Sequence, residues 1–213
     1  MLRTVLFGVI FGWVGLMFSV QILASNLSED HLDSQAIFSY IRKYHRLVPS
    51  KDARVISESL VSQSYTHHVD PKLMAALIAV ESGFKKDAVS RCGAKGLGQL
   101  MDGTYRRFSI KNPFDIHENI SATYQYMKKL VTMWEGEASQ LTLVLASYLK
   151  GETFVKKQKN QLSPVTIRYT QLILKCYQDL CTMRTQHSRE VATILAAQEK
   201  NANGIDNTQE NSN

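Results

Sequence analysis

The chain has 213 residues, a formal net charge of +6, 44% hydrophobic and 21% charged residues. That length carries one domain of ordinary size with extensions, and it buries a core without covalent staples. The basic residues are scattered and form no recognised nucleic-acid motif, which excludes a nucleic-acid binder and leaves a mildly basic surface suited to an anionic partner.

Arg3 precedes a mostly apolar run over residues 5–23, interrupted by Gly8, Gly12, Gly15, Ser19 and Gln21. A membrane-spanning helix needs about 20 such residues and a signal core about 7–15. The run therefore suits an anchor by length, while Ile22 and Ala24 offer a cleavage site before Ser25. A cleaved export signal is the preferred reading, with an uncleaved anchor as its alternative. Either one sends the remainder across a membrane.

Residues 28–33 are polar. Ile37, Phe38, Tyr40, Ile41 and Tyr44 then mark a helix with one apolar face. Pro49-Ser50 breaks it, and Ser50 is placed to cap a second helix bearing Val55, Ile56, Leu60 and Val61. Asp70 is a good N-cap for a third, and Pro71 suits the first helical position, where a missing N–H costs nothing. Residues 72–80 are apolar on nearly every face after the lysine, the pattern of a buried helix. Glu81 and Ser82 close it, and Gly83 is a natural left-handed stop.

Glu81 is thus a carboxylate at the unfavourable end of a buried helix. Its neighbours at helical spacing are Ile78, Leu77 and Met74. Desolvation disfavours the ionised form, and the negative end of the helix dipole acts the same way. Both raise the pKa, as a general acid working near neutral pH requires. The plainer alternative is a terminal glutamate pointing into water.

Residues 84–95 read as a loop, and residues 97–108 contain a short helix punctuated by Gly98 and Gly103. Asn112-Pro113 restarts the chain. Residues 119–134 form an amphipathic helix with Ile120, Tyr124, Met127, Leu130, Val131 and Trp134 on one side, capped by Asn119. Residues 140–148 form another, ended by Gly151. A basic connector through Lys156, Lys157 and Lys159 leads to Ser163-Pro164, which start a last helix carrying Ile167, Tyr169, Leu172, Ile173 and Leu174. Apolar content falls from Thr185, and residues 198–213 are too polar to order themselves. With no alternating strand pattern, the class is all-α.

The three cysteines, Cys92, Cys176 and Cys181, are an odd number, so at least one stays free or pairs outside the chain. Cys176 and Cys181 cannot bridge on a straight helix. The expectation is that the helix ends near Asp179 and these two close a short loop, as an exported protein permits. His67-His68 are adjacent rather than facially spaced, and no His/Cys cluster has ligand spacing, so neither metal nor cofactor is expected.

Several motifs combine. Glu81-Ser82 follows the buried helix, and Gly93-Ala94-Lys95-Gly96-Leu97-Gly98-Gln99-Leu100-Met101 comes next. Asn112-Pro113 and Asn119-Ile120 follow, and Ala146-Ser147-Tyr148 closes a later helix. Together they resemble the soluble-lytic-transglycosylase (SLT) domain, whose fold is similar to goose-type lysozyme and whose substrate is peptidoglycan. The resemblance covers residues 56–174. It implies a lysozyme-like helical domain in which Glu81 is the single acid/base, protonating the oxygen between N-acetylmuramic acid (MurNAc) and N-acetylglucosamine (GlcNAc). The substrate's own N-acetyl group would meet the developing charge. Its C6 hydroxyl would then close a 1,6-anhydro ring, a lyase step.

By position, Gln99 matches a groove glutamine that hydrogen-bonds the sugar, and Met101 a methionine beside the cleaved bond, or else a core residue. Tyr148 matches the tyrosine whose hydroxyl orients the glutamate, Ser82 a supporting residue, and Tyr169 a tyrosine near the groove. The chain departs from the family's usual Met at Gly98, Pro at Asp102 and Asn-Ala at Leu149-Lys150. The last change removes a polar contact near the acid. Asp102 adds a carboxylate that could support hydrolysis if it reached the water side of the bond.

The expected layout is a signal or anchor at 1–24, a helical extension at 25–62, the catalytic domain at 63–180 and a disordered tail at 181–213. The implied partner is the peptidoglycan glycan strand in the bacterial periplasm, with membrane contact only through an uncleaved leader. A secretion or conjugation apparatus that needs the wall opened locally is the suggested user. A wall-binding scaffold without turnover and a lysozyme-type hydrolase stand as the alternatives.

Overall fold

The computed structural model describes residues 29–158 and 161–209, with side chains as far as residue 194. The expected leader at 1–24 lies outside the described residues. The architecture is all-α. Helix α1 covers residues 29–44. It is followed by α2 (Ser50–His67), α3 (Pro71–Glu81), α4 (Asp102–Arg107), α5 (Ile116–Met133), α6 (Gln140–Lys150), α7 (Glu152–Gln158) and α8 (Pro164–Gln209). Two isolated antiparallel bridges, Val89 to Lys95 and Lys95 to Leu100, fold the loop between α3 and α4 back on itself.

Helix α3 is the axis. Met74, Ala75, Ala76, Leu77 and Ile78 are fully buried, because α8 and α2 pack along it. Asp70 caps it as expected, its Oδ1 accepting from the Lys72 amide at 2.8 Å, with Pro71 at the first helical position. The other carboxylate oxygen accepts from the Tyr177 hydroxyl of α8 at 2.8 Å. One side chain therefore ends α3 and ties it to α8. Asp70→Ala is expected to cost about 2 kcal/mol, a lost cap plus a lost hydrogen bond to a charged group. A lower urea midpoint at unchanged slope would report it.

Several elements depart from the sequence expectation. Ser50 is the first helical residue of α2, and Pro49 holds the cap position. Helix α5 starts three residues before Asn119, because Asp115 holds the cap position and accepts from the Glu118 amide. The basic connector coils into α7 around the buried Val155.

The largest differences lie in α8. Ile167 and Leu172 face solvent, while Thr166, Thr170, Ile173 and Leu180 form the buried stripe. The helix runs unbroken past Asp179, so Cys176 and Cys181 close no loop; all three cysteines are free thiols. The expected disordered tail instead begins as ordered helix. Arg184 pairs with Glu29 and, at 3.5 Å, with Asp33, both on α1. His187 Nε2 lies 3.2 Å from the Ser39 hydroxyl of the same helix. Once nucleated, a helix gains one hydrogen bond per added residue. The helical backbone extends to Gln209. Helix α1 also supplies Ile37, Tyr40 and Ile41 to the core that contains α3.

Candidate active site

Glu81 is the last residue of α3. The Ser82 and Gly83 amides turn back to the carbonyls of Ile78 and Ala79 at 3.0 and 3.2 Å, and Gly83 takes the left-handed conformation at φ +59°. The carboxyl thus leaves the helix over Met74, Leu77 and Ile78, all fully buried. Burial lifts its pKa from an ordinary 4.5 to about 7, against a smaller lowering by the Tyr169 hydrogen bond. The Tyr169 hydroxyl, from the first turns of α8, donates to Glu81 Oε1. Burial and the Glu81 charge hold the Tyr169 phenol well above its ordinary range, so it stays a donor.

The family resemblance implies this orienting contact for Tyr148. The structure puts the Tyr148 hydroxyl on the Gly98 carbonyl, at 2.6 Å. Burial raises the Tyr148 phenol pKa, and the Glu81 charge pushes it the same way. The division follows from geometry: Tyr148 ends up beneath the Gly-Leu-Gly-Gln loop, while Tyr169 reaches Glu81 from α8.

Removing the Tyr169 donor takes away what lowers the Glu81 pKa. Tyr169→Phe is therefore expected to move the carboxyl midpoint further above 7, by about one pH unit, the worth of a hydrogen bond to a charged group. Carbon-13 NMR titration of labelled glutamate would read it.

Three polar ties hold the loop that carries Gln99 and Met101. The Gly98 amide donates to Asn119 Oδ1 at 2.8 Å, and Asn119 Nδ2 donates to the Pro113 carbonyl at 2.8 Å and the Lys95 carbonyl at 3.3 Å. Asn119 is buried in the first turn of α5, so it works as a loop clamp and not as the helix cap. The approach is close at Gly96, where a Cβ would lie 2.2 Å from Asn119 Nδ2 and the φ is +74°.

Gln99 sits at φ +48°, and its Nε2 donates to the carbonyls of Ala88 at 3.1 Å and Gly96 at 3.0 Å. Its amide nitrogen therefore braces the loop, leaving the carbonyl end for any sugar contact. Met101 is 49% exposed, so it is a surface residue at the start of α4 and not a core one. The Ser82 hydroxyl donates back to the Ile78 carbonyl at 3.3 Å and supports the helix end. Asp102, the other carboxylate considered, is largely exposed and pairs with Lys95 at 3.2 Å. At the first turn of α4 it is a favourable acidic residue, as a proline would be a favourable first residue.

The structure thus brings Glu81, Tyr169, Tyr148 and the loop bearing Gln99 and Met101 into one constellation. Two members escaped the sequence reading. Thr123 lies under Gly98, and its signal is its place one turn after Asn119. Tyr126 packs its ring 5.3 Å from that of Tyr148. Among the described residues no His, Cys, Asp or Glu cluster is arranged to hold a metal. Chemically, the site offers one acid whose pKa lies at about 7 and a fixed donor beside it; among the described residues no second carboxylate is poised with it.

The transglycosylase SLT domain family matches residues 59–169. A membrane-bound lytic murein transglycosylase F of Desulfosudis oleivorans is 31% identical over 125 residues, covering 56% of this chain and 27% of that protein. The protein of the same description from Photobacterium profundum is 30% identical over 110 residues, covering 51% of this chain and 21% of its own length. The chain therefore spans about a quarter of the length of these curated relatives. Among solved structures, lytic transglycosylase Slt of Pseudomonas aeruginosa aligns with a TM-score of 0.48 at 22% identity, over 75% of this chain and 29% of that one.

Proposed function

The chain belongs to the transglycosylase SLT domain family, and on that premise we propose that it is a peptidoglycan lytic transglycosylase with Glu81 as its single acid/base. The observation that carries the reading is the Glu81 carboxyl, held neutral up to about pH 7 by apolar burial and fixed by the Tyr169 hydroxyl. As acid, it protonates the oxygen between MurNAc and GlcNAc, and that bond breaks. The MurNAc N-acetyl group meets the positive charge left at C1. Glu81, now ionised, takes the proton from the C6 hydroxyl as that oxygen closes onto C1. The products are a 1,6-anhydro-MurNAc end and a free GlcNAc end, with no water consumed. The exposed, Lys95-paired Asp102 gives no support to a hydrolytic route.

Gln99, Met101 and Tyr148 belong to the same proposal as the wall of the glycan groove, and Ser82 as support for the helix end. Export to the periplasm is supported by the apolar run over residues 5–23. The names of the membrane-bound relatives point to the same envelope location. Among the described residues no helix is long and apolar enough to cross a membrane. Local wall opening for a secretion or conjugation apparatus extends the proposal to a user.

Digestion of purified sacculi followed by product mass spectrometry tests the core of it. Anhydromuropeptides are expected. Reducing-end products would point to hydrolysis, and binding without release of fragments to a scaffold.

A further inference from the structure

The stretch from the end of α1 into α2, residues 42–51, reads Arg-Lys-Tyr-His-Arg-Leu-Val-Pro-Ser-Lys. At its tip Leu47 is 90% exposed, the barest large apolar side chain among the described residues, and Tyr44 is half exposed. The backbone beneath is fixed. Val48 is buried, its amide donates to the His45 carbonyl at 3.0 Å, and its carbonyl accepts from Arg42 Nη1 at 2.9 Å. The turn therefore holds Leu47 outward, with the exposed cations Lys43, Arg46 and Lys51 around it. The Lys43 ammonium lies 5.0 Å from the centre of the Tyr44 ring.

The loop after α3 extends this patch. His45 packs on Phe84 with ring centroids 5.0 Å apart, and Lys86 pairs with Asp52 at 2.9 Å. Lys85 adds another exposed cation. Of the two carboxylates on these segments, Asp52 is taken by Lys86, and Asp87 is exposed. Lys43, Arg46, Lys51 and Lys85 pair with no carboxylate among the described residues.

A protruding apolar tip ringed by long cationic side chains matches a planar anionic interface. The leucine reaches the acyl boundary while Lys and Arg keep their charged ends among the phosphates. A tyrosine, with an apolar ring and a polar end, suits the headgroup level between them. A soluble polyanion would answer the cations and leave Leu47 in water.

We infer that the α1–α2 turn docks this protein on an anionic phospholipid surface, with Leu47 entering the interface and Lys43, Arg46, Lys51 and Lys85 meeting lipid phosphates. His45 of the same turn also borders Gly83, two residues after Glu81. Docking thus keeps the end of α3 that carries Glu81 beside the lipid surface.

Hydrogen exchange of the full chain, read by mass spectrometry, locates the contact peptide by peptide, independently of any insertion by residues 5–23. The chain is compared on vesicles of phosphatidylcholine with and without about a third phosphatidylglycerol. Exchange over residues 42–51 is expected to slow on the anionic vesicles alone, and raised salt should restore it. Each cation at such a surface is worth roughly a factor of five, so Lys43→Gln, Arg46→Gln, Lys51→Gln together should lower the docking equilibrium about a hundredfold. Leu47→Ser should lower it about tenfold, through the lost apolar insertion. A charge-matched control, Arg107→Gln, Lys150→Gln, Lys157→Gln, at exposed cations of α4, α6 and α7, should keep the slowing. Circular dichroism and thermal melting establish that all the variants are folded.

Equal slowing on both kinds of vesicle, or slowing confined to other peptides, would overturn the inference. Unchanged slowing in the turn variant or in Leu47→Ser would do the same. So would its loss in the control, which would assign docking to net charge.

Discussion

Glu81→Gln is expected to yield a folded protein that releases no anhydromuropeptides from sacculi, a loss of about a thousandfold or more, the scale on which general-acid catalysis contributes. The amide keeps the shape of the carboxyl and can still accept from the Tyr169 hydroxyl, but it has no proton to give. The same variant should separate catalysis from stability. The unfolded chain holds this carboxyl near its ordinary 4.5, and the folded protein holds it near 7. Between those values the folded state binds more protons, so wild-type stability falls as pH rises from about 5 to 8. The loss is on the order of 3 kcal/mol once the group is ionised in both states.

Glutamine has no charge to bury. The variant should therefore match wild type in thermal stability at pH 4–5 and exceed it at pH 8. Wild-type kcat/KM on glycan should decline above about pH 7, as the acid form is lost. Retained cleavage by Glu81→Gln would refute the assignment. Melting curves that stay parallel across pH would show instead that the carboxyl is solvated.

The second large effect is expected at Gly98. Its φ lies outside the left-handed range, so its backbone would accept a side chain, and the obstacle is space alone. A Cβ there would sit 2.1 Å from Thr123 Oγ1 and 2.9 Å from Thr123 Cγ2, with the Tyr148 hydroxyl at 3.0 Å. Thr123 cannot give way, because it is fully buried and its hydroxyl donates to the Asn119 carbonyl at 2.7 Å. Gly98→Ala should therefore cost roughly 3 kcal/mol, or roughly 6–12 °C in Tm for a chain of this size.

It should also depress activity, since the overlap displaces the backbone group that Tyr148 holds and the loop that carries Gln99. The partner change Thr123→Ala removes both clashing atoms. On its own it should cost only about 1 kcal/mol, and combined with Gly98→Ala it should recover most of the loss. Additive destabilisation in the double variant would show that the two residues are not a size-matched pair. The glycine where the family usually has methionine thus has a local cause: Thr123 fills the space a side chain would need.

Much of this protein is legible in one dimension. The apolar run from Leu73 to Val80, bracketed by Asp70-Pro71 and Gly83, specifies a buried helix, because its residues have no face to offer water. Glu81 is thereby left over apolar neighbours at i−3, i−4 and i−7. Its identity as the acid candidate, and the upward direction of its pKa, follow from chain-local facts. So does the all-α class, from the 3.6-residue periodicity of the long segments.

Contacts that join residues far apart in the chain were not legible. Nothing local says that Tyr169, 88 positions from Glu81, is the tyrosine that reaches its carboxyl. Nor does anything local say that Tyr148 spends its hydroxyl on Gly98, 50 positions away. Helix α8 continues past its apolar stretch because Arg184 and His187 find partners on α1, a neighbour the chain acquires only on folding. The sequence by itself determined which carboxyl is buried, since burial there is set by residues within two turns. Only the tertiary structure decided which hydroxyl orients it, what space Gly98 must leave, and that the basic α1–α2 turn meets the loop after α3. Those depend on how helices pack, which no short-range pattern encodes.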